Sequence, residues 1–120
     1  MGIALDHTVV PAKDRDKSAR FFARIFGLSY QGPPGYFAQV QVNDTLTLDF
    51  ADDEDFDSLH YAFKTREGEF DEIIARLKAD KVPYGSGPGS PEDMKIGRRN
   101  GGKNCYFRDP SGHLLQVLTA

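Results

Sequence analysis

Apolar and polar residues alternate from Ile3 to Val10, with Ile3, Leu5, His7 and Val9 on one face and Ala4, Asp6, Thr8 and Val10 on the other, which predicts a strand. His7 is thereby expected to face with apolar neighbours. Past Pro11 the period changes. Ser18, Phe21, Phe22, Ile25 and Phe26 recur at helical spacing, Asp14 and Asp16 stand where a helix N-terminus favours negative charge, and Gly27 supplies a stop. The run Gly32-Pro33-Pro34-Gly35 breaks regular structure. Two alternating stretches, 36–42 and 45–50, then flank Asn43-Asp44 and predict a hairpin. Residues 51–57 are crowded with acids and read as a solvated connection.

The second half restarts in the same order. Leu59 to Phe63 predicts a short strand bearing His60, and Phe70, Ile73, Ile74 and Leu77 form an i, i+3, i+4, i+7 stripe, the clearest helix in the chain. His60 matches His7, and Val82-Pro83-Tyr84 matches Leu28-Ser29-Tyr30, so a duplicated unit is expected. Residues 85–104 hold six Gly and two Pro with little apolar content, which predicts a long loop, either mobile or folded over a ligand. Strands at 105–108 and 113–119 around the Asp109-Pro110-Ser111-Gly112 turn complete the chain.

Composition narrows the picture. A chain of 120 residues that is 39% hydrophobic, with nine Phe and five Tyr, is enough for one core and too apolar for a disordered segment. A formal charge of -3 carries no footprint for nucleic acid or an anionic membrane, which leaves a small neutral or anionic molecule as the expected partner. The N-terminal residues lack the pattern of a secretory signal, and no segment approaches the roughly 20 apolar residues of a membrane span, so a cytoplasmic location is expected. The single Cys105 agrees with a reducing compartment and reads as a buried, inert thiol.

Candidate chemistry centres on His7 and His60. Imidazole is the commonest neutral metal ligand, and equivalent strands of two repeated halves can bring equivalent positions together; the alternative for each is a packed, hydrogen-bonded histidine. Asp49 lies on the Thr45/Thr47 face of its strand, as a solvent-facing acid or as a ligand. Gln116, between Leu114 and Leu118, must satisfy its amide inside or present it to a cavity. His113 has the opposite strand parity and is not expected to share a site with Gln116. Arg98 and Arg99, among glycines, are solvated or clamp an anionic ligand. Gly87-Pro88-Gly89 lacks the Lys-Ser/Thr and the strand-to-helix context of a phosphate loop.

The stretches Leu5-Asp6-His7-Thr8-Val9-Val10, Ser18-Ala19-Arg20-Phe21-Phe22 to Phe26-Gly27-Leu28, and above all Tyr106-Phe107-Arg108-Asp109-Pro110-Ser111-Gly112-His113-Leu114-Leu115 resemble the vicinal oxygen chelate superfamily, which includes glyoxalase I, bleomycin-resistance proteins and extradiol dioxygenases. The resemblance implies an α+β fold for a single domain, 1–120: two βαβββ modules, 1–52 and 57–120, forming a half-open barrel-like mixed sheet with helices outside. It implies a divalent metal (Zn, Ni, Mn or Fe) held by His7, Asp49, His60 and Gln116, with Asp49 as the base of a lyase, isomerase or dioxygenase. Members with a three-residue site use two His and a final Glu, whereas this chain has Gln116 there, a weaker donor that cannot take a proton near neutral pH. The rival reading is a metal-free, ligand-sequestering protein of the antibiotic-resistance kind, and a third is a structural domain with packed histidines. A homodimer is expected under every reading.

Overall fold

The structure is a computed structural model that describes residues 2–120. It divides into two compact units, Met1–Asp57 and Ser58–Ala120. The first holds β1 (His7–Ala12), α1 (Arg15–Phe26), β2 (Ala38–Gln41) and β3 (Thr47–Asp52); the second holds β4 (His60–Lys64), α2 (Glu67–Ala79), β5 (Tyr84–Gly85), β6 (Gly97–Arg99), β7 (Gly102–Arg108) and β8 (Leu114–Leu118). The fold is α+β with two helices and mixed sheets, and neither sheet closes on itself.

In the first unit the strand order is β1-β3-β2, with β1 parallel to β3 and β2 antiparallel to it. Parallel neighbours cannot be joined by a tight turn, and α1 supplies part of the crossover. Asp14 caps α1 by accepting from the Lys17 amide at 3.1 Å, and Gly27 ends it at φ 71, a left-handed conformation that glycine adopts without steric cost. The helix buries Ala19, Phe22 and Ile25, and the sheet buries Val10, Ala12, Ala38, Val40, Leu48 and Phe50. Ile3, Leu5 and Val9 do not join this core. They are exposed, so the face of β1 that carries His7 is open and the alternate face, with Val10 and Ala12, is inside. The segment 28–37 makes no strand, in part because Pro33 and Pro34 have no N–H to donate to a ladder. Asp52 belongs to β3 rather than to a solvated link, and its carboxylate accepts from both the Arg15 backbone and its guanidinium.

In the second unit the path is β4-β8-β7-β5, with β6 pairing β7; β4 and β8 are parallel, β7 and β8 antiparallel. The N-terminus of α2 is closed by the Glu69 side chain, which accepts from the Arg66 amide at 2.9 Å, and Phe70, Ile73, Ile74 and Leu77 are buried. The expected loop 85–104 is more ordered than its glycines suggest. Asp93 accepts from the backbone amides of Ser86 and Lys95 and from the Ser86 hydroxyl, β6 pairs with β7, and β7 begins at Gly102 rather than at 105. Gly97 has a packing reason, since a Cβ there would lie 2.4 Å from the Ser86 carbonyl oxygen.

The turn before β8 is built on Asp109. Its carboxylate accepts from the amides of Ser111 at 3.0 Å and His113 at 2.9 Å, while burial pushes its pKa up, with the N–H donors and His113 opposing. A carboxyl group whose folded pKa is raised is best tolerated at low pH, and its burial costs more as pH rises through that value. At pH 7 Asp109→Ala is therefore expected to cost about 2 kcal/mol in urea unfolding by stranding two donors, whereas Asp109→Asn keeps an acceptor without the charge and is expected to lie within about 1 kcal/mol of the native protein.

Candidate functional site

The two parallel ladders set up the same local geometry twice. His7 faces Thr47 across β1 and β3, and Asp49 lies two residues beyond Thr47 on the same side of the strand. His60 faces Leu114 across β4 and β8, and Gln116 lies two residues beyond Leu114. Each unit thus pairs an imidazole with an oxygen-bearing side chain one pleat repeat further along the neighbouring strand. Each histidine also stands on an edge strand of its own sheet.

In the first unit His7, Asp49, Asp6, Thr47 and Gln39 line a cavity of about 260 Å³. The His7 side chain is 58% exposed, and its Nδ1 lies 2.7 Å from Asp6 Oδ2. That hydrogen bond, followed by the charge of Asp6 and a smaller contribution from Asp49, holds the imidazole pKa above its ordinary value. With Nδ1 engaged, Nε2 is the nitrogen left for a ligand. Asp49 is buried, and Gln39, its direct cross-strand neighbour on β2, donates an amide N–H to Oδ1 at 3.0 Å. A buried carboxylate needs such donors or a cation, and the cavity is where a cation would meet it.

In the second unit His60 Nε2 lies 2.9 Å from Gln116 Oε1. Gln116 donates through Nε2 to Asn104 Oδ1 at 2.6 Å, which fixes the amide so that its oxygen is turned toward the imidazole. The Tyr106 ring packs 5.9 Å from His60 and is buried. Two donor atoms bound side by side on a cation, each at about 2.1 Å, stand about 3 Å apart, so the His60–Gln116 pair already has the spacing of two adjacent ligands. Among the described residues no three His, Cys, Asp or Glu side chains gather as a metal site; each unit brings two donors together.

The remaining candidates fall elsewhere. Arg98 and Arg99 are consecutive on β6 and exposed, so their side chains leave opposite faces of the strand; Arg98 borders a cavity with Phe70, Ile74 and Lys103. His113 is fully buried, with Nδ1 accepting the Leu59 N–H at 2.9 Å, a packed histidine that anchors the start of β4. Cys105 is buried and its thiol is pushed up to about 12, chiefly by burial, which leaves it inert. Sequence reasoning did not single out Gln39, Asn104 or Asp6. Gln39 had a readable signal, a polar residue alternating with Ala38 and Val40 on β2, but its partner follows only from the register with Asp49.

Two α+β units, each with a histidine and an oxygen donor across a parallel strand pair, make up the described fold. The chain belongs to the Glyoxalase/Bleomycin resistance protein/Dioxygenase superfamily, whose family model matches residues 4–117. Among solved structures it is similar to the oxidase ChaP-H1, at 40% identity and a TM-score of 0.91 over 99% of this chain and 97% of that one. It is likewise similar to the oxidase ChaP-H2, at 36% identity and a TM-score of 0.92 over 100% and 95%. The metallothiol transferase FosB of Lysinibacillus sphaericus (strain C3-41) is 28% identical over 122 aligned positions, covering 97% of this chain and 82% of that protein. No helix among the described residues is long and apolar enough to cross a membrane.

The raised pKa of His7 has a checkable origin. Asp6→Asn removes the carboxylate that favours the imidazolium, so the His7 ring proton resonances are expected to titrate at lower pH than in the native protein.

Proposed function

We propose that the protein binds a small organic molecule and transforms it at a divalent cation, the candidate donors being His7 and Asp49 in the first unit and His60 and Gln116 in the second. The observation that carries this reading is the repeated register: imidazole and oxygen donor at the same offset in both parallel ladders, with the 2.9 Å His60–Gln116 spacing suited to adjacent ligands. An imidazole with a carboxylate in the first unit, and an imidazole with an amide oxygen in the second, are donor types that suit zinc, nickel, manganese or iron(II). When bound, such a cation supplies Lewis acidity toward a ligand oxygen. The chain's own residues do the rest. Asp6 fixes which nitrogen of His7 is presented, Asn104 turns the Gln116 oxygen inward, and Gln39 holds one oxygen of Asp49 and leaves the other able to take a proton from a bound molecule. The likeness to two oxidases at 36% and 40% identity favours oxidative chemistry over isomerisation, and the amide at 116 favours it further, because proton shuttling then rests on Asp49 alone.

One observation supports a second reading. His60, Gln116 and Asn104 satisfy one another without an ion, as a metal-free sequestering protein would need. Calorimetric titration with zinc, nickel, manganese and iron(II) separates the two. The native protein is expected to bind at least one of these ions, Gln116→Glu to bind it about tenfold or more tightly because a carboxylate adds charge at the same place, and His7→Ala to abolish binding. No binding by either the native protein or Gln116→Glu would leave the sequestering reading in its place.

We also propose a homodimer. Ile3, Leu5 and Val9 are exposed on and before the edge strand β1, Leu59 is exposed just before the edge strand β4, and an open edge beside exposed apolar side chains is a template for pairing with another chain. Sedimentation at micromolar concentration is expected to give about twice the 13.4 kDa chain mass.

A further inference from the structure

We propose that a groove in the second unit, between α2 and the β6–β7 hairpin, binds a small organic anion with an aliphatic body, its charged head held between Arg98 and Lys103. The proposal is independent of the metal reading, since the groove is lined by none of the residues of the His60–Gln116 pair.

Side chains along β7 alternate between two faces. Asn104 points toward Gln116, whereas Lys103, one residue earlier, points the other way and donates to Asp71 of α2 at 3.0 Å. Arg98 is the direct cross-strand partner of Lys103, so it shares that face and lines the same cavity of about 460 Å³, a small-molecule volume. Across from the hairpin, Asp71, Ile74 and Lys78 recur at i, i+3 and i+7 and form one stripe of α2. Ile74 and Ile96 supply the apolar floor, and Ile96 is left 37% exposed.

Three cations border this groove against one carboxylate. Like charges directly opposite one another on a ladder destabilise it, and Arg98 faces Lys103 in that way. Asp71 answers Lys103, and the Phe70 ring, 5.9 Å from the Lys103 Nζ, helps to hold it. Arg98 and Lys78 have no carboxylate partner among the described residues. A cross-strand pair that costs stability is accounted for by a ligand whose anionic head sits between the two cations and cancels their repulsion. The wider field agrees. Although the whole chain carries a formal charge of -3, Ser58–Ala120 holds ten Lys and Arg against eight Asp and Glu. The floor decides the rest of the ligand. A bare inorganic anion would leave Ile74 and Ile96 facing water, and an alkyl cation would meet three charges of its own sign, whereas an anion with an aliphatic chain answers both the cations and the floor.

The test follows amide chemical shifts of the native protein in metal-free, low-salt buffer titrated with octanoate, octylammonium and acetate. Octanoate is expected to give saturable shifts in residues 70–78 and 96–103, with octylammonium and acetate weaker by about tenfold or more. Arg98→Gln is expected to weaken octanoate about fivefold and Ile96→Ser about threefold, while Arg99→Gln, on the other face of β6, changes it by less than about twofold. Without octanoate, Arg98→Gln is expected to keep or raise the urea midpoint, because the like-charged neighbour of Lys103 is gone; an arginine held for structure alone would lower it. The proposal is overturned if octanoate gives no saturable shift at these residues, if octylammonium or acetate binds as tightly, or if Arg98→Gln binds octanoate as the native protein does. Binding to vesicles containing phosphatidylserine but not to octanoate would also overturn it, in favour of a lipid surface. Failure of the metal reading would appear in the calorimetric titrations and would leave these shifts unchanged.

Discussion

The pairing of the first strand of each unit with its last, side by side and parallel, is the constraint on which the candidate chemistry depends. In such a ladder side chains two apart share a face, and a slip of one residue would turn every side chain to the other side of the sheet. The register is held from the opposite face: a slip in the first unit would bring Leu48 and Phe50 out of the interior, at roughly 2–3 kcal/mol each, and in the second unit Leu115 and Val117 play the same part. The apolar core therefore sets the position of the polar groups. His7 and Asp49, or His60 and Gln116, cannot drift apart without first unpacking the residues behind them.

The two halves are alike in geometry and unlike in electrostatics. The first carries a buried carboxylate with an amide donor, beside an imidazole whose protonated form is favoured by Asp6. The second has no carboxylate, only a chain of His60, Gln116 and Asn104 in which each polar group answers another. A buried charge draws a partner, whereas a satisfied amide mainly positions what lies next to it. The first half thus carries a charge that can attract a cation or a polar ligand group, whereas the polar groups of the second mainly fix one another.

Much of this was legible in the chain. The helix stripes at 18–26 and 70–77, the Gly27 stop, the hairpin around Asn43-Asp44 and the matched positions of His7 and His60 all follow from periodicity and turn chemistry, and the superfamily follows from the motif around Asp109-Pro110-Ser111-Gly112. What was not legible depended on partners far along the chain. The face shared by Ile3, Leu5, His7 and Val9 looked like the inside because alternation marks two faces without saying which is buried. Residues 85–104 looked unstructured because Gly97 stands where another backbone crosses closely, so a packing requirement imitated a loop signal. Asn104 was assigned to that loop for the same reason, and with it went the group that aims Gln116. Arg98 and Arg99 invited reading as a pair, but adjacent positions on a strand cannot act on one ligand from one side.

The sealed interior position of Cys105 reaches beyond the native chemistry. It is the chain's single sulfhydryl, enclosed on β7 and held in its protonated form. The outer surface consequently offers nothing for maleimides, iodoacetamides or mixed-disulfide formation to attack while the fold is intact. A fluorophore or spin label attached through one introduced cysteine would report from that place alone, with no need to mutate the native thiol.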